Sequence, residues 1–289
     1  MMKSFPNLEV WFVTGSQHLY GPEALRQVSL DAETVASGLT ESVSIPLQVT
    51  FKPIVTRPEE ILQTCLEANN ASQCVGLICW MHTFSPAKMW IAGLQALNKP
   101  FMHLHTQFSR DLPWSTIDMD YMNLHQSAHG GREFGFIGTR LRKERKVVVG
   151  HWQDTAVQAQ VGGWTRAAAG WHESHRVKVA RFGDNMREVA VTEGDKVSAQ
   201  IQFGYSVHGY GLEELNASIT AVTDQTVDSL VAEYKDCYQI GDQILKSDSL
   251  MAKVRMEARV EAGMKAFLDD HGCTAYTDTF ENLAGLDML

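Results

Sequence analysis

The sequence predicts an α/β protein: a doubly wound parallel sheet followed by a second, smaller and incomplete α/β domain. Over about the first 180 residues, short apolar runs alternate with helix-like segments. The runs are apolar throughout, as is typical of strands covered on both faces of a parallel sheet. Repeated strand–helix units favour right-handed crossovers, which build a sheet of the Rossmann or flavodoxin kind.

The strands of the first domain are the apolar runs, and proline and capping residues mark the helices between them. Pro22 lies in the first turn of one helix, and Thr56 and Glu59 form a capping box around Pro58. Ser85 is an N-cap followed by Pro86 at the first helical position. The predicted strands are 8–14, 47–52, 74–81, 100–105, 146–151 and 176–181.

The pattern changes after residue 177, which predicts domains at 1–176 and 177–289. Residues 183–211 are rich in glycine and polar residues, which indicates loops with short strands. Helices are predicted at 224–239 and 247–270, and a strand at 273–280. A strand that late favours a continuation, so we expect the second domain to be incomplete.

The amino-acid composition argues against some classes of binding partner. Lys and Arg total 25 against 34 Asp and Glu, a net charge of −9, which argues against nucleic acid or an anionic membrane as the main partner. The chain lacks an apolar run of about 18 residues, so we expect no membrane span. The five cysteines form no CxxC pair and predict free thiols in a reducing cytoplasm.

Hydrogen-bonding and aromatic side chains follow five of the predicted strands. In a doubly wound sheet, ligands bind beyond the carboxyl ends of the strands. Sugar hydroxyls need polar partners while their C–H faces pack on aromatic rings, so this mixture favours a polyol pocket, although loop starts are often polar in any case. The segments concerned are 15–21, 80–85, 105–108, 151–154 and 181–186.

Four histidines are weaker candidates for functional residues. His103 and His105 are predicted to face one side of a strand, and His125 and His129 to share one helical face at a spacing used by metal ligands. A hydrogen-bonded structural role is the more common explanation of each. Glu133 is a candidate acid or base, or an ordinary ion-pair residue. A G-x-G-x-x-G motif is absent, which argues against a dinucleotide site.

Several long motifs resemble those of bacterial L-arabinose isomerases, and the similarity extends over essentially the whole chain. They are EVWFVTGSQHLYG at 9–21, HTFSPAKMW at 82–90, HTQF at 105–108, IDMD at 117–120, AHGGREFG at 128–135 and RFGDNMREVA at 181–190.

The resemblance implies an aldose–ketose isomerase. Such enzymes convert L-arabinose to L-ribulose, and D-galactose to D-tagatose less well, using Mn²⁺. They form homo-oligomers, usually hexamers, whose active sites lie between subunits. Carried over residue by residue, the resemblance implies these sugar-lining positions: Gln17, Leu19, Tyr20, Phe84, Gln126, His129, Met186 and Phe280.

The resemblance also implies that the glutamates and histidines that bind the metal in this family lie beyond the position of Leu289. In the family, those glutamates also act as the acid and the base. Three hypotheses follow. The chain is an isomerase that uses other groups, with His125 and His129 as metal ligands and His129, Glu133 or Asp184 in catalysis. Alternatively, it binds sugar without turnover, or it is a truncated part of a longer isomerase.

Overall fold

The computed structural model describes residues 5–279 and 281. The chain divides into two compact units, Met1–His172 and Glu173–Leu289. Within the described part of the chain, every helix is too short or too polar to cross a bilayer.

The first unit alternates strands and helices. Its strands are β1 (Glu9–Gly15), β2 (Gln48–Phe51), β3 (Cys74–Met81), β4 (Phe101–His105) and β5 (Lys146–Val149). Its helices are α1 (Gly21–Glu41), α2 (Pro58–Asn70), α3 (Ile91–Ala96), α4 (Met119–Leu124), α5 (Ser127–Arg140) and α6 (Thr155–Ser174). Two 3₁₀ turns, His18–Tyr20 and Ala87–Trp90, follow β1 and β3.

The five strands form one parallel sheet in the order β2-β1-β3-β4-β5, which confirms the predicted doubly wound α/β fold. The order reverses between β1 and β3, where Gly15 lies opposite Met81. In open sheets of this kind, such a reversal leaves a crevice at the carboxyl ends of the strands.

The core lies on both faces of this sheet. Val10 and Phe12 of β1 pack into one apolar cluster with Trp80, while Trp11 and Val13 pack into the other. Alternate residues of a strand point to opposite faces, so a strand covered on both sides must be apolar throughout. The central strands β1 and β3 are buried along almost their whole length.

Some local predictions for this unit were wrong. The predicted capping box of Thr56 and Glu59 does not form: Arg57 is the N-cap of α2, and the Glu60 carboxylate accepts hydrogen bonds from the Thr56 N–H at 2.8 Å and the Thr56 hydroxyl at 3.0 Å.

β5 is an edge strand of which only Val148 is buried: Val148 packs into the core on one face of the sheet, while Val147 and Val149 point to the other face and are exposed. Ser85 is not an N-cap: the 3₁₀ turn begins at Ala87 after Pro86, and the Ser85 hydroxyl accepts a hydrogen bond from the Trp90 indole at 3.0 Å.

The second unit contains a smaller parallel sheet in the order β7-β6-β8, and this confirms its α/β class. Phe182 and Phe267 are fully buried at its core. Its strands are β6 (Lys178–Phe182), β7 (Ser206–Tyr210) and β8 (Ala275–Thr277), and its helices are α7 (Lys196–Phe203), α8 (Leu212–Thr220), α9 (Asp224–Cys237), α10 (Asp242–Leu245) and α11 (Asp248–Asp270).

Helix α7 corrects the prediction that residues 183–211 are loops with short strands. The Asp195 carboxylate accepts hydrogen bonds from the N–H groups of Val197 and Ser198, and so caps the helix. Gly204, at φ 85°, ends it.

Candidate functional site

The loops after β1 and β3 are joined where the strand order reverses. The hydroxyl oxygens of Ser16 and Thr83, both fully buried, are 2.7 Å apart. Gln17 follows Ser16, and Phe84 follows Thr83. The hydrogen bond therefore fixes two predicted sugar-lining segments beside each other.

The 3₁₀ turn after β1 carries three of the predicted positions. Gln17 and Tyr20 are half-buried, whereas Leu19 is 83% exposed. His18 anchors the turn, because its Nε2 lies 3.0 Å from the hydroxyl of Thr56. Leu19 therefore projects from a fixed turn.

Phe84 and His129 contact each other directly. Their rings stack with centroids 4.5 Å apart and an interplanar angle of 29°. His129 lies on α5, which packs close to the end of β3: a Cβ on Gly130 would lie 2.8 Å from the carbonyl oxygen of Thr83. The glycine thus permits the approach that brings the two rings together.

A cavity of about 480 Å³ opens beside the start of α5. Its wall includes Gln126 and His129, and it mixes hydrogen-bonding side chains with apolar ones, as small-molecule sites do. The lining residues are Gln107, Ser109, Leu112, Ile117, Met119, Tyr121, Met122, Asn123, His125, Gln126, Ala128 and His129.

His125 and His129 do not share a helical face, contrary to the prediction. The chain breaks between α4 and α5, and His125 is the C-cap of α4 with φ −102° and ψ 59°. Its Nδ1 lies 3.0 Å from the carbonyl oxygen of Tyr121, and its Nε2 lies 3.3 Å from the hydroxyl of Ser109. Burial lowers the pKa of His125, so the ring is neutral near pH 7.

The described residues do not fit a metal centre. Within them, nowhere do three His, Cys, Asp or Glu side chains converge as metal ligands. Both ring nitrogens of His125 are also engaged in other contacts. Mn²⁺ favours carboxylate, carbonyl and water oxygens, and the lining of the cavity contains no carboxylate.

Glu133 makes a structural contact. Its Oε2 accepts a hydrogen bond from the N–H of Ala87 at 3.0 Å. The carboxylate thereby caps the 3₁₀ turn that follows Phe84, and it fixes α5 to the loop after β3.

His103 and His105 pack against α5 at Gly131. As predicted, they lie on one side of β4, with ring centroids 5.4 Å apart. A Cβ on Gly131 would lie 3.1 Å from the His105 ring. Burial, with smaller contributions from His105 and Arg145, lowers the pKa of His103 to about 3. His103 is therefore a neutral core residue at pH 7.

Asp184 and Met186 lie in the second unit, where they line a separate cavity of about 460 Å³ with Arg181. The Arg181 guanidinium donates to the Asp184 carboxylate at 3.0 Å. Phe280 lies outside the described residues.

The sequence did not reveal a buried pair that underlies the cavity of the first unit. His82 Nε2 lies 2.7 Å from Asp31 Oδ2, and both side chains are almost completely buried. No motif or spacing marks Asp31 on α1, because its partner is 51 positions away. Ser109 and Asn123 of the cavity wall were also absent from the predicted pocket, whereas Gln107 lies in the predicted segment 105–108.

The fold and the cavity define a class: an α/β protein whose doubly wound domain offers a polar and aromatic pocket beside the carboxyl ends of its strands. Comparison with known families matches the chain to two domain models of one family. Residues 4–176 match the model of the L-arabinose isomerase N-terminal domain, and residues 178–289 match that of the L-arabinose isomerase central domain. The chain belongs to the L-arabinose isomerase family.

The sequences of curated relatives align with this chain over 288 residues, which is 100% of its length. The L-arabinose isomerases of Shewanella sp. (strain MR-7), Koribacter versatilis (strain Ellin345) and Pectobacterium atrosepticum are 58%, 57% and 54% identical to it. The chain spans 58% of the length of each of these relatives.

Proposed function

We propose that this chain binds an aldose in the cavity of its first unit, and that it serves the isomerisation of L-arabinose to L-ribulose. One observation carries the proposal: Gln126, His129 and Phe84, implied to line the sugar, lie at or beside a cavity of about 480 Å³ in a member of this family. The carboxamides suit hydroxyl groups, and the aromatic rings suit the C–H face of a sugar.

The isomerisation requires sugar binding and a hydrogen transfer, and different groups supply the two. Isomerising an aldose transfers a hydrogen between C2 and C1, which requires a base within reach or a polarising metal. We propose that residues of the cavity wall bind and orient the sugar, with the carboxamides of Gln107 and Gln126 as partners of its hydroxyl groups and Tyr121 as part of the wall. We propose D-galactose as a second, poorer substrate.

Mn²⁺ is the cofactor that we propose for turnover. Because the described residues do not fit a metal site, its ligands must come from outside them.

We propose that the chain forms a homo-oligomer with the cavity near a subunit interface. Apolar side chains that line the cavity are also exposed, with Met119 at 65% and Met122 at 51%. Exposed apolar surface next to a pocket is typical of an interface. Light scattering of the purified chain tests this, and a monomer at all concentrations would contradict it.

We propose a reducing compartment, the cytoplasm, as the place of action. All five cysteines are free, and four of them are buried. Burial raises the pKa of the Cys65 thiol to about 12 and that of Cys74 to about 11, so both are unreactive.

The test combines binding and turnover on one preparation. Calorimetry should show that L-arabinose binds the chain, and that His129→Ala weakens binding. The same sample with Mn²⁺ should be assayed for L-ribulose. Binding without L-ribulose would leave a sugar-binding protein and contradict the isomerase activity of this chain. Absence of binding to L-arabinose and D-galactose would overturn the proposal altogether.

A further inference from the structure

A buried acid–histidine pair lies beneath the cavity of the first unit. The Nε2 of His82 donates to Asp31 Oδ2 at 2.7 Å, and Gln27 Nε2 donates to the other carboxylate oxygen at 2.8 Å. His82 is fully buried and Asp31 is 3% exposed. Taking such groups out of water is costly, and apolar replacements are often as stable or more so. Stability alone therefore does not account for the pair.

The pair connects the segments that carry the predicted sugar-lining residues of this unit. Asp31 lies on α1, which begins directly after the turn His18–Tyr20. His82 lies two positions before Phe84. Its backbone carbonyl accepts hydrogen bonds from the Gln126 N–H at 3.0 Å and the Ser127 hydroxyl at 3.4 Å. One residue thus links α1, the loop after β3 and the start of α5.

The His82 ring also supports the wall of the cavity. It stacks on Trp80 with centroids 4.5 Å apart, and its edge meets the His125 ring at 5.3 Å and 84°. His125 lines the cavity and stacks on Tyr121 at 4.0 Å. The carboxylate of Asp31 fixes the rotation of the His82 ring, and His125 rests against that ring.

The hydrogen bonds of the His82 ring determine which of its nitrogens carries the proton. A carboxylate accepts, so the hydrogen bond to Asp31 requires the proton on Nε2. Nδ1 is buried and has no hydrogen-bond partner among the described residues. The alternative tautomer would bury an unpaired N–H group and would lose the bond to Asp31, which makes it unfavourable.

We propose that Asp31 and His82 are positioning residues for the aldose cavity, which hold Gln126 and His125 in the geometry that binds sugar. The inference rests on the proposed function for its ligand. Neither residue lines the cavity, so both act through the backbone of Gln126 and the ring of His125.

The test uses the full chain and the variant Asp31→Asn, with Glu33→Gln on the exposed side of α1 as the matched control. In Asp31→Asn a neutral amide oxygen replaces the carboxylate as the acceptor of the Nε2–H proton, so the hydrogen bond should weaken, which ring ¹⁵N shifts of His82 report. The Gln126 and Ser127 amides and the His125 ring should shift as well. The Kd for L-arabinose should rise about tenfold or more, the equivalent of about 1.4 kcal/mol. Glu33→Gln should change none of these.

The double variant Asp31→Leu with His82→Phe separates positioning from stability and serves if Asp31→Asn does not fold. It leaves no unpaired buried charge, so we expect a folded protein with weakened binding and shifted Gln126 and His125 resonances. Wild-type resonances and a wild-type Kd in a folded variant would overturn the inference. If the wild-type chain binds no sugar, the proposed function fails, and the Gln126, Ser127 and His125 resonances alone still decide the positioning role.

Discussion

The hydroxyl groups of Ser16 and Thr83 form a hydrogen bond of 2.7 Å at the point where the strand order of the sheet reverses. The bond joins the loop that carries Gln17 to the loop that carries Phe84. Both residues are fully buried, so neither hydroxyl has water as a substitute partner. The geometry of the proposed sugar site therefore depends on a contact between residues 67 positions apart.

Removing one hydroxyl of this bond should destabilise the first unit. In Ser16→Ala the buried Thr83 hydroxyl is left unpaired, which costs about 1–3 kcal/mol. Thr83→Val should have a similar effect. The double variant should lose less than the sum of the two, because no hydroxyl remains unsatisfied. Urea unfolding of the four proteins measures the coupling, and strictly additive losses would show that the bond contributes nothing.

Gly130→Ala should push α5 away from β3. Its Cβ would lie 2.8 Å from the Thr83 carbonyl oxygen, which is backbone and has little room to move. Gly135→Ala on the same helix is the control, since its nearest neighbour is 3.6 Å away. The control should gain up to about 1 kcal/mol from helix propensity. We expect Gly130→Ala to lose both stability and L-arabinose binding; wild-type values for that variant would contradict the packing described above.

Phe84→Ala should weaken sugar binding more than it weakens the fold. The substitution removes the ring that stacks on His129, while Phe84 itself is only half-buried. Phe136→Ala, on the outer side of α5 at 56% exposure, is the matched control. Calorimetry with L-arabinose should show a clear rise in Kd for Phe84→Ala alone. Equal Kd values for the two variants would argue against a stacking role.

His103 should make the first unit sensitive to acid. Its pKa in the folded protein is about 3, below the ordinary value of 6.5, so the unfolded chain binds a proton that the folded one does not. The free energy of unfolding should therefore fall as the pH drops below about 6.5, at about 1.4 kcal/mol per pH unit for this group. His103→Leu should flatten that fall. Parallel pH profiles for His103→Leu and the wild type would contradict this explanation.

Much of the fold could be predicted from the sequence because buried parallel strands are apolar along their whole length. The strand predicted at 74–81 is observed at Cys74–Met81, and every residue in it is buried. The prediction was wrong where local signals were weak. Helix α7 buries none of its residues, and its apolar residues alternate with polar ones in the period typical of a strand: Val197, Ala199, Ile201 and Phe203. The break at His125 depends on contacts with Tyr121 and Ser109.

The candidate site was predictable in part. Polar and aromatic residues after the strands indicated a pocket. Of the positions that the motifs imply, Gln126 and His129 lie in the wall of the cavity. The groups that hold those positions could not be predicted, because Asp31 and His82 meet only in the folded chain and each is an ordinary residue in its own segment. Single-sequence patterns report local structure, whereas this pair is a long-range contact.

The proposed function depends most on the binding of L-arabinose at the carboxyl ends of the strands in the first unit. Mapping of backbone and ring resonances during an L-arabinose titration tests it directly. We expect shifts at Gln126, His129 and Phe84, with smaller ones at Gln17, and none on the exposed face of α2. Saturable shifts confined to residues 173–279, or the absence of saturable shifts, would contradict it.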